Sequence, residues 1–393
     1  MTRRGERDAF VSGIGQSDVG RRLAASGIEL TVQAALAAIV DAGLTPSDID
    51  GLATYPGGIP GAPPGFAGAG AVELLHALPM PVNWYSGSLE GPGQLQAFVN
   101  ACLAVSAGLC RHVLVFRTVT EASAQGAGGR RPLAGAEGFR QFQAPFGAVA
   151  PPIWAGLLAQ YHVGTFGLQR EQLGQIAVNG RRNAALNPHA LLRTPLALAA
   201  YLDARMIASP LCLYDCDLPC DGSTALVVSH VDTAPDARHL PVHVNAVGTA
   251  VHGRPSWDLW EDPGSFPGVD AARHLWSRTE LTHADVDLAQ CYDGFSILTL
   301  LWLEALGFCG RGEAGAFVEG GTRIARDGEL PLNTSGGQLS AGRLHGFGFI
   351  HEAVVQLRGN GAARQVPDHP EVAVVGIGGG SNTGAMLLTR GIR

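Results

Sequence analysis

The sequence predicts an α/β protein built as two fused, similar halves, and three observations carry that prediction. The chain has 393 residues, 46% hydrophobic and 16% charged, enough to bury a large core and long enough for two domains or two fused halves. Short apolar runs alternate with helix-length segments, which favours a mixed or parallel sheet covered by helices in each half. Finally, Leu44-Thr-Pro-Ser-Asp-Ile-Asp50-Gly-Leu-Ala-Thr-Tyr55 returns in one register as Leu281-Thr-His-Ala-Asp-Val-Asp287-Leu-Ala-Gln-Cys-Tyr292. Each copy follows a helix-like stretch (32–42 and 271–280) and leads, through a Thr-x-x-Asp helix-start signal and an apolar strand, to a tyrosine.

The elements support the duplication in order. Val11-Ser-Gly-Ile-Gly15 opens the first half much as Val244-Asn-Ala-Val-Gly248 opens the second, and Val113-Leu-Val-Phe116 has its partner in Val372-Ala-Val-Val375. A repeat of about two hundred residues is too long for a solenoid, whose periods run from about 20 to 50. The join is placed near Asp232-Thr-Ala-Pro-Asp236, giving halves 1–235 and 236–393. An irregular insertion from about 123 to 208 starts Gly- and Ala-rich and carries Phe139, Phe142, Phe146, Trp154 and Tyr161. It reads either as an ordered lid over an apolar ligand or as a helical embellishment of the surface.

Composition removes several functions. A net charge of −7 argues against nucleic acid as a partner, since that needs clustered basic residues. All 27 basic residues are arginine, so a Schiff-base aldolase, a pyridoxal-phosphate enzyme and a P-loop NTPase all lack their lysine. Only 13 residues follow the glycine turn Gly376-Ile-Gly-Gly-Gly380, leaving no room for a Rossmann unit. The N-terminal basic residues lead into a strand and not an apolar h-region. The longest apolar stretch, Ile297 to Phe308, contains Glu304 and is too short to span a bilayer, so a cytoplasmic location is expected. Seven cysteines, an odd number in a long chain, predict free thiols. Cys212, Cys216 and Cys220 recur every four residues, but Pro219 interrupts any helix and no nearby histidine completes a metal site, so they read as buried small hydrophobes.

The end of the chain carries the chemistry. Asn333-Thr-Ser335-Gly336-Gly337-Gln-Leu-Ser-Ala-Gly342-Arg343-Leu-His345-Gly346 is a polar, glycine-dense loop running into an apolar helix, backed by the strand at 372–375 and the glycine turn at 376–380. With the duplicated halves, the insertion, and Leu218-Pro-Cys-Asp221-Gly222-Ser closing the first half, the chain resembles the thiolase superfamily along nearly its whole length. Within it, the chain is most similar to the thiolase-like lipid-transfer proteins. The resemblance implies the thiolase-like fold, a layered αβαβα core with a lid insertion in the first half.

Thiolases attack a thioester with a cysteine at a helix start. Here that stretch is Glu90-Gly91-Pro92-Gly93-Gln94-Leu95-Gln96, with the nucleophile's place on or near Gly91. The thiolase Gly-His-Pro motif matches Gly342-Arg343-Leu344, the second cysteine falls on Gly376, and the Asn-Glu-Ala-Phe motif becomes Tyr292-Asp293-Gly294-Phe295. Covalent acyl transfer therefore loses its groups while the pocket glycines remain. The pattern resembles the steroid side-chain aldolases of the family, which cleave a β-hydroxyacyl-CoA by retro-aldol chemistry, a reaction needing a base and enolate-stabilising donors but no nucleophile.

On that resemblance, Tyr292 takes the hydroxyl proton and His345 protonates the enolate. Arg343, where a second tyrosine is expected, polarises the thioester oxygen or stabilises a Tyr292 phenolate. Gly378 and Gly379 amides with Asn333 hold the oxyanion; Ser335, Gly336 and Gly337 line the substrate site, and Asp293 is catalytic or orients a neighbour. The plainer alternatives are a packed tyrosine with a satisfied hydroxyl and a capping histidine. Two other functions compete: a non-catalytic acyl-CoA-binding scaffold, and an acyltransferase with a displaced nucleophile at Cys291. The CoA thioester is the substrate and no bound cofactor is expected. The resemblance also implies a homodimer and a small zinc-ribbon/OB-fold partner protein of the DUF35 kind.

Overall fold

The computed structural model describes residues 4–56, 64–87, 93–127, 141–253 and 262–391. Its first half contains β1 (Ala9–Gln16), α1 (Gly27–Asp41), β2 (Gly51–Thr54), α2 (Ala71–Ala77), β3 (Trp84–Gly87), α3 (Gln96–Ser106), β4 (His112–Thr120) and α4 (Glu121–Ala127). The insertion follows as α5 (Pro151–Phe166), α6 (Arg170–Ala185), α7 (Leu198–Leu202), β5 (Met206–Ala208) and β6 (Leu211–Cys212). Strand β7 (Asp221–His230) leads through a 3-10 turn, Val231–Asp236, into β8 (Val242–Val251). Then come α8 (Gly268–Trp276), β9 (Leu288–Cys291), α9 (Ser296–Leu306), α10 (Ala314–Val318), α11 (Gly337–Ser340), α12 (Gly346–Leu357), β10 (Val372–Gly378) and β11 (Asn382–Arg390).

The sheet order is β3-β2-β4-β7-β1-β8-β11-β10-β9, nine strands, and it reads nearly the same from either end. The central join is an antiparallel β1–β8 contact of only two residue pairs, Phe10 with His243 and Val11 with Val242. Beyond it the half-sheets part. Helices α1 and α8 cover their outer faces, and α12 touches β9 and β10 on one side and β1 and β7 on the other. Together with α3, which lies on β2, β4 and β7, it forms the middle layer of an αβαβα arrangement.

The repeated segments act alike. Each Thr-x-x-Asp closes a capping box over a single 3-10 turn, Pro46–Asp48 and His283–Asp285, and not over a longer helix. Asp50 accepts from the Arg111 and His112 amides, and Asp287 from those of Glu371 and Val372. In this way each aspartate ties strand β2 or β9 to the start of its neighbour, β4 or β10. A Cβ at Gly15 would meet the Ala34 carbonyl of α1, and one at Gly248 the Ala271 carbonyl of α8, so both glycines permit close helix–strand approach.

Of the insertion's aromatics, Phe139 lies outside the described residues, while Phe142 and Phe146 are 66% and 82% exposed. Its structural contribution to the site is α6. Asn179 and Asn183 donate to the Leu332 carbonyl (3.0 and 2.9 Å), Asn183 also to Asn333 O (3.2 Å), and Asn187 to Ser335 O (2.9 Å). Asn179 and Asn183, four apart on one face of α6, and Asn187 just past its end hold the backbone of the polar loop in place.

Candidate active site

The polar loop, the start of α12 and the start of α3 converge on His345. Its backbone (φ 57°, ψ −155°) is one that a residue with a Cβ rarely adopts. The His345 amide donates to Gln338 Oε1 at 3.1 Å, which helps hold it there. Gln94 does the rest. Its Oε1 accepts from the Gly346 amide in the first turn of α12, where a capping side chain would otherwise stand. That fixes which end of the amide is which, so Nε2 is the donor directed at His345 Nδ1, 2.9 Å away, and at the Tyr292 hydroxyl, 3.4 Å away. With Nδ1 accepting, the ring hydrogen of His345 sits on Nε2. Nε2 is buried and has no hydrogen-bond partner among the described residues. Burial, then the nearby Arg117 and Arg343, hold the His345 pKa well below its usual value, so the ring is a neutral N–H donor at pH 7.

Tyr292 closes the strand β9 side. Its amide donates to Gly376 O at 2.8 Å, its ring lies 6.1 Å from that of Phe349, and it is 5% exposed. Burial and then the charge of Asp217 push its phenol pKa up. Tyr292 is therefore a neutral phenol, and a proton it accepts must be matched by one it gives away.

Arg343 sits where it can influence both groups, with two of its N–H groups engaged: Nε donates to Glu121 Oε2 at 2.6 Å and Nη1 to Asp217 Oδ1 at 2.9 Å. Its charge is first answered by these carboxylates and acts on Tyr292 only as a neighbour. Asp293, 1% exposed, accepts from the Gln338 amide at 2.8 Å and the Leu339 amide at 3.4 Å, which makes it the anchor of the loop at α11. A Cβ at Gly337 would run into Asp293 Oδ2, so that glycine lets the loop close on the carboxylate.

Asn333 has a different task from the oxyanion role expected of it. Its Oδ1 accepts from the Cys291 amide and its Nδ2 donates to the Cys291 carbonyl, both at 2.8 Å. The side chain thus continues the sheet and sets the end of β9, and with it Tyr292. Gly378 O accepts from the Trp302 indole at 2.9 Å, Gly379 follows in the turn to β11, and the residues lining the cavity beside His345 include neither. Ser335 and Gly337 do line it, whereas Gly336 (φ 104°) packs on Ala184 of α6. That cavity, about 420 Å³, lies where the half-sheets part beyond the β1–β8 contact, with Leu344, His345, Phe349 and Val355 on one wall and Ile14 and Ala37 on another.

The positions of the missing thiolase groups have physical explanations. Gly91 lies outside the described residues. A Cβ at Gly376 would stand 2.7 Å from the Trp302 ring, so the indole occupies the space of a side chain there. Cys291 is fully buried and its thiol pKa is pushed up by burial and by Asp293, the opposite of what a nucleophile needs. Cys212 and Cys220 belong to separate apolar clusters, one around Tyr201 and the other around Val119 and Leu344. All seven cysteines are free.

Three residues at the site were not anticipated. Gln94 stands just past the expected nucleophile, and its signal was a bifunctional amide among glycines at a helix start. Arg117 interrupts the apolar run of β4; it is 1% exposed, stacks over Phe66 and Tyr55 at 4.8 and 5.5 Å, and its Nε and Nη2 have no partner among the described residues. Burial lowers its pKa to about 10, which leaves it charged. Asp217 is a charge inside the cysteine-rich stretch 212–220.

Comparison with known proteins agrees with this fold. Residues 248–390 match the family model described as thiolase C-terminal domain-like. The chain is 33% identical over 390 residues, 97% of each chain, to the steroid side-chain-cleaving aldolase of Thermomonospora curvata. It is 33% identical over 367 residues, 89% of this chain and 92% of the relative, to the 17-hydroxy-3-oxo-4-pregnene-20-carboxyl-CoA lyase of Mycobacterium tuberculosis. The solved Ltp2-ChsH2(DUF35) aldolase superposes with a TM-score of 0.87 at 30% identity, covering 98% of each chain. The chain belongs to the thiolase superfamily, in its group of thiolase-like lipid-transfer proteins and aldolases, and is a thiolase-like lyase. Among the described residues no helix is long and apolar enough to cross a membrane.

Proposed function

We propose that this enzyme cleaves the Cα–Cβ bond of a bulky β-hydroxyacyl-CoA, of the steroid side-chain type, by retro-aldol chemistry to give a ketone or aldehyde and a shorter acyl-CoA. The observation that carries the reading is the Gln94-bridged pair of Tyr292 and His345, two neutral O–H and N–H groups held together where the polar loop meets the starts of α3 and α12. In this scheme Tyr292 meets the β-hydroxyl and His345 Nε2–H donates to the thioester oxygen, strengthening as that oxygen becomes an enolate. A neutral imidazole suits that donor role better than the carbon-protonating role first expected, because giving up its Nε2 proton outright would leave an imidazolate. The cavity, of a volume common for small-molecule sites, mixes apolar walls with polar groups such as Gln16, Asn187 and Glu352, which suits an acyl group that carries polar substituents.

The solved aldolase relative carries a DUF35 component, which supports a small partner of that kind here. A homodimer is part of the same proposal, since edge strand β3 has no strand on its outer flank among the described residues and Tyr85 is 58% exposed, as is a cytoplasmic location. The test is mass spectrometry of products from a panel of β-hydroxyacyl-CoA esters, including a steroid side-chain thioester, with and without the DUF35 partner. A carbonyl product plus shortened acyl-CoA, formed without free CoA, is expected. Tyr292→Phe should lower turnover at least about 100-fold while acyl-CoA still binds, and full activity in that variant would sink the scheme.

A further inference from the structure

The cavity beside His345 runs along α12. His345, Phe349, Glu352 and Val355 all line it, at the spacing of a single helix face. It opens to solvent at its other end, where the lining residues Ala37, His189 and Asn360 are exposed. Gly348 lies in the same wall, close to His345. A glycine inside a helix weakens it, and packing does not demand this one. Among the described residues a Cβ at Gly348 would meet only Leu344 Cβ, at an ordinary 3.5 Å, whereas one at Gly346 would stand 2.7 Å from Ile377. The space left by the missing side chain of Gly348 belongs to the cavity.

Farther along the helix the wall becomes polar. Glu352 stands seven residues past His345, about 10 Å along the axis, and is 2% exposed. It accepts from Thr334 Oγ1 at 2.8 Å and Gln356 Nε2 at 2.9 Å. Arg364, also in the wall, donates to it from Nε at 3.1 and 3.2 Å and from Nη2 at 3.1 Å. Both carboxylate oxygens are therefore engaged, while Arg364 keeps Nη1 outside the pair. Beside them His351 lines the cavity, and burial, outweighing Glu352, holds its pKa at about 4, so it adds a neutral ring. The ion pair carries no net charge. An anion brought to Arg364 would meet the charge of Glu352, whereas a neutral oxygen would gain a charged donor without that repulsion.

We infer that the channel along α12 holds the acyl group of the substrate, with Gly348 making room for its body and Arg364, held by Glu352, donating from Nη1 to a neutral carbonyl or hydroxyl oxygen farther along. The substrate class is then an extended or fused-ring acyl group that carries such an oxygen about 10 Å from its thioester. The inference rests on the retro-aldol reading only in placing the thioester at His345, so binding and not cleavage tests it.

The deciding experiment is titration calorimetry of the full chain with three thioesters that lack a β-hydroxyl: a steroid side-chain acyl-CoA with a keto oxygen on the ring farthest from the thioester, the same ester without that oxygen, and acetyl-CoA. The wild type should bind the keto ester at least about tenfold more tightly than its deoxy counterpart, as expected for one hydrogen bond from a charged donor. Arg364→Met, in which Glu352 keeps Thr334 and Gln356, should narrow that preference to within about twofold. Arg364→Lys, which keeps a cation for Glu352 but loses the planar fork, takes its place if the Met variant does not fold. Gly348→Leu, which leaves the ion pair intact, should weaken both steroid esters at least about tenfold more than acetyl-CoA. Equal affinities for the two steroid esters in the wild type, or an undiminished preference in the Arg364 variant, overturn the proposal. So does a Gly348→Leu variant that loses acetyl-CoA as much as the steroid esters, because the channel would then hold the CoA arm common to all three. Absence of cleavage in the product panel overturns the retro-aldol reading itself, a result these affinities do not share.

Discussion

Gln94 shows how much of this site depends on one side chain that touches no substrate atom in the proposed scheme. Its carbonyl end takes the first free amide of α12, and that contact forces its amino end toward His345 Nδ1. Gln94→Leu would leave the Gly346 amide without its acceptor and let the His345 proton settle on Nδ1, removing the Nε2 donor. The expected result is a kcat lower by about 100-fold or more, in line with the cost of a wrong histidine tautomer, with KM changed less than about threefold, read from steady-state kinetics. Tyr292 and His345 were legible because each ends a recognisable pattern, a repeated strand and a glycine-dense loop. Asn333 and Asp293 were legible as site residues but not in their tasks: both bond the backbone, Cys291 in one case and α11 in the other. Sequence order carries no sign of such partners 42 and 45 positions away.

Among the elements, the clearest departure from thiolase chemistry is steric. Strand β10 ends against α9, where the Trp302 ring fills the space over Gly376 and its indole N–H bonds Gly378 O. Gly376→Cys, which restores the thiolase residue, must displace a fully buried tryptophan. It should cost about 1–3 kcal/mol as an overpacked core, seen as a lower urea midpoint, and yield no CoA-dependent thiolysis. The strand, the turn and α9 could each be read from apolar runs and glycines. That a tryptophan of one element excludes a side chain from another could not, because it depends on how the two pack. The same holds for the asparagines of α6. The four-residue spacing of Asn179 and Asn183 is visible in the sequence, yet only the fold shows that the face they share meets the loop at 332–333.

At the scale of the molecule, the duplication was legible because both copies keep the same capping aspartates and strand-opening glycines, whereas the narrow β1–β8 join and the cavity where the half-sheets part follow from tertiary geometry. Burying so many titratable groups between layers gives stability two opposing dependences on pH. Asp217 and Asp293, both raised to about 7 mainly by burial, favour the folded state as pH falls from about 7 toward their usual range. Buried histidines act the other way. His162 on α5 is 6% exposed, packs 5.1 Å from Phe166, and is held at about 4 by burial and by Arg311. Between its ordinary value of 6.5 and about 4, the unfolded chain binds a proton there that the folded chain does not, so this contribution is lost as pH falls through that window. His162→Phe keeps an aromatic ring in the same cluster and removes the titration. Relative to wild type, the variant should therefore gain about 2 kcal/mol on going from pH 7 to pH 5, measured by urea denaturation at the two pH values. An unchanged difference would mean that His162 accepts its proton in the folded protein, and that α5 opens to water far more readily than its packing implies.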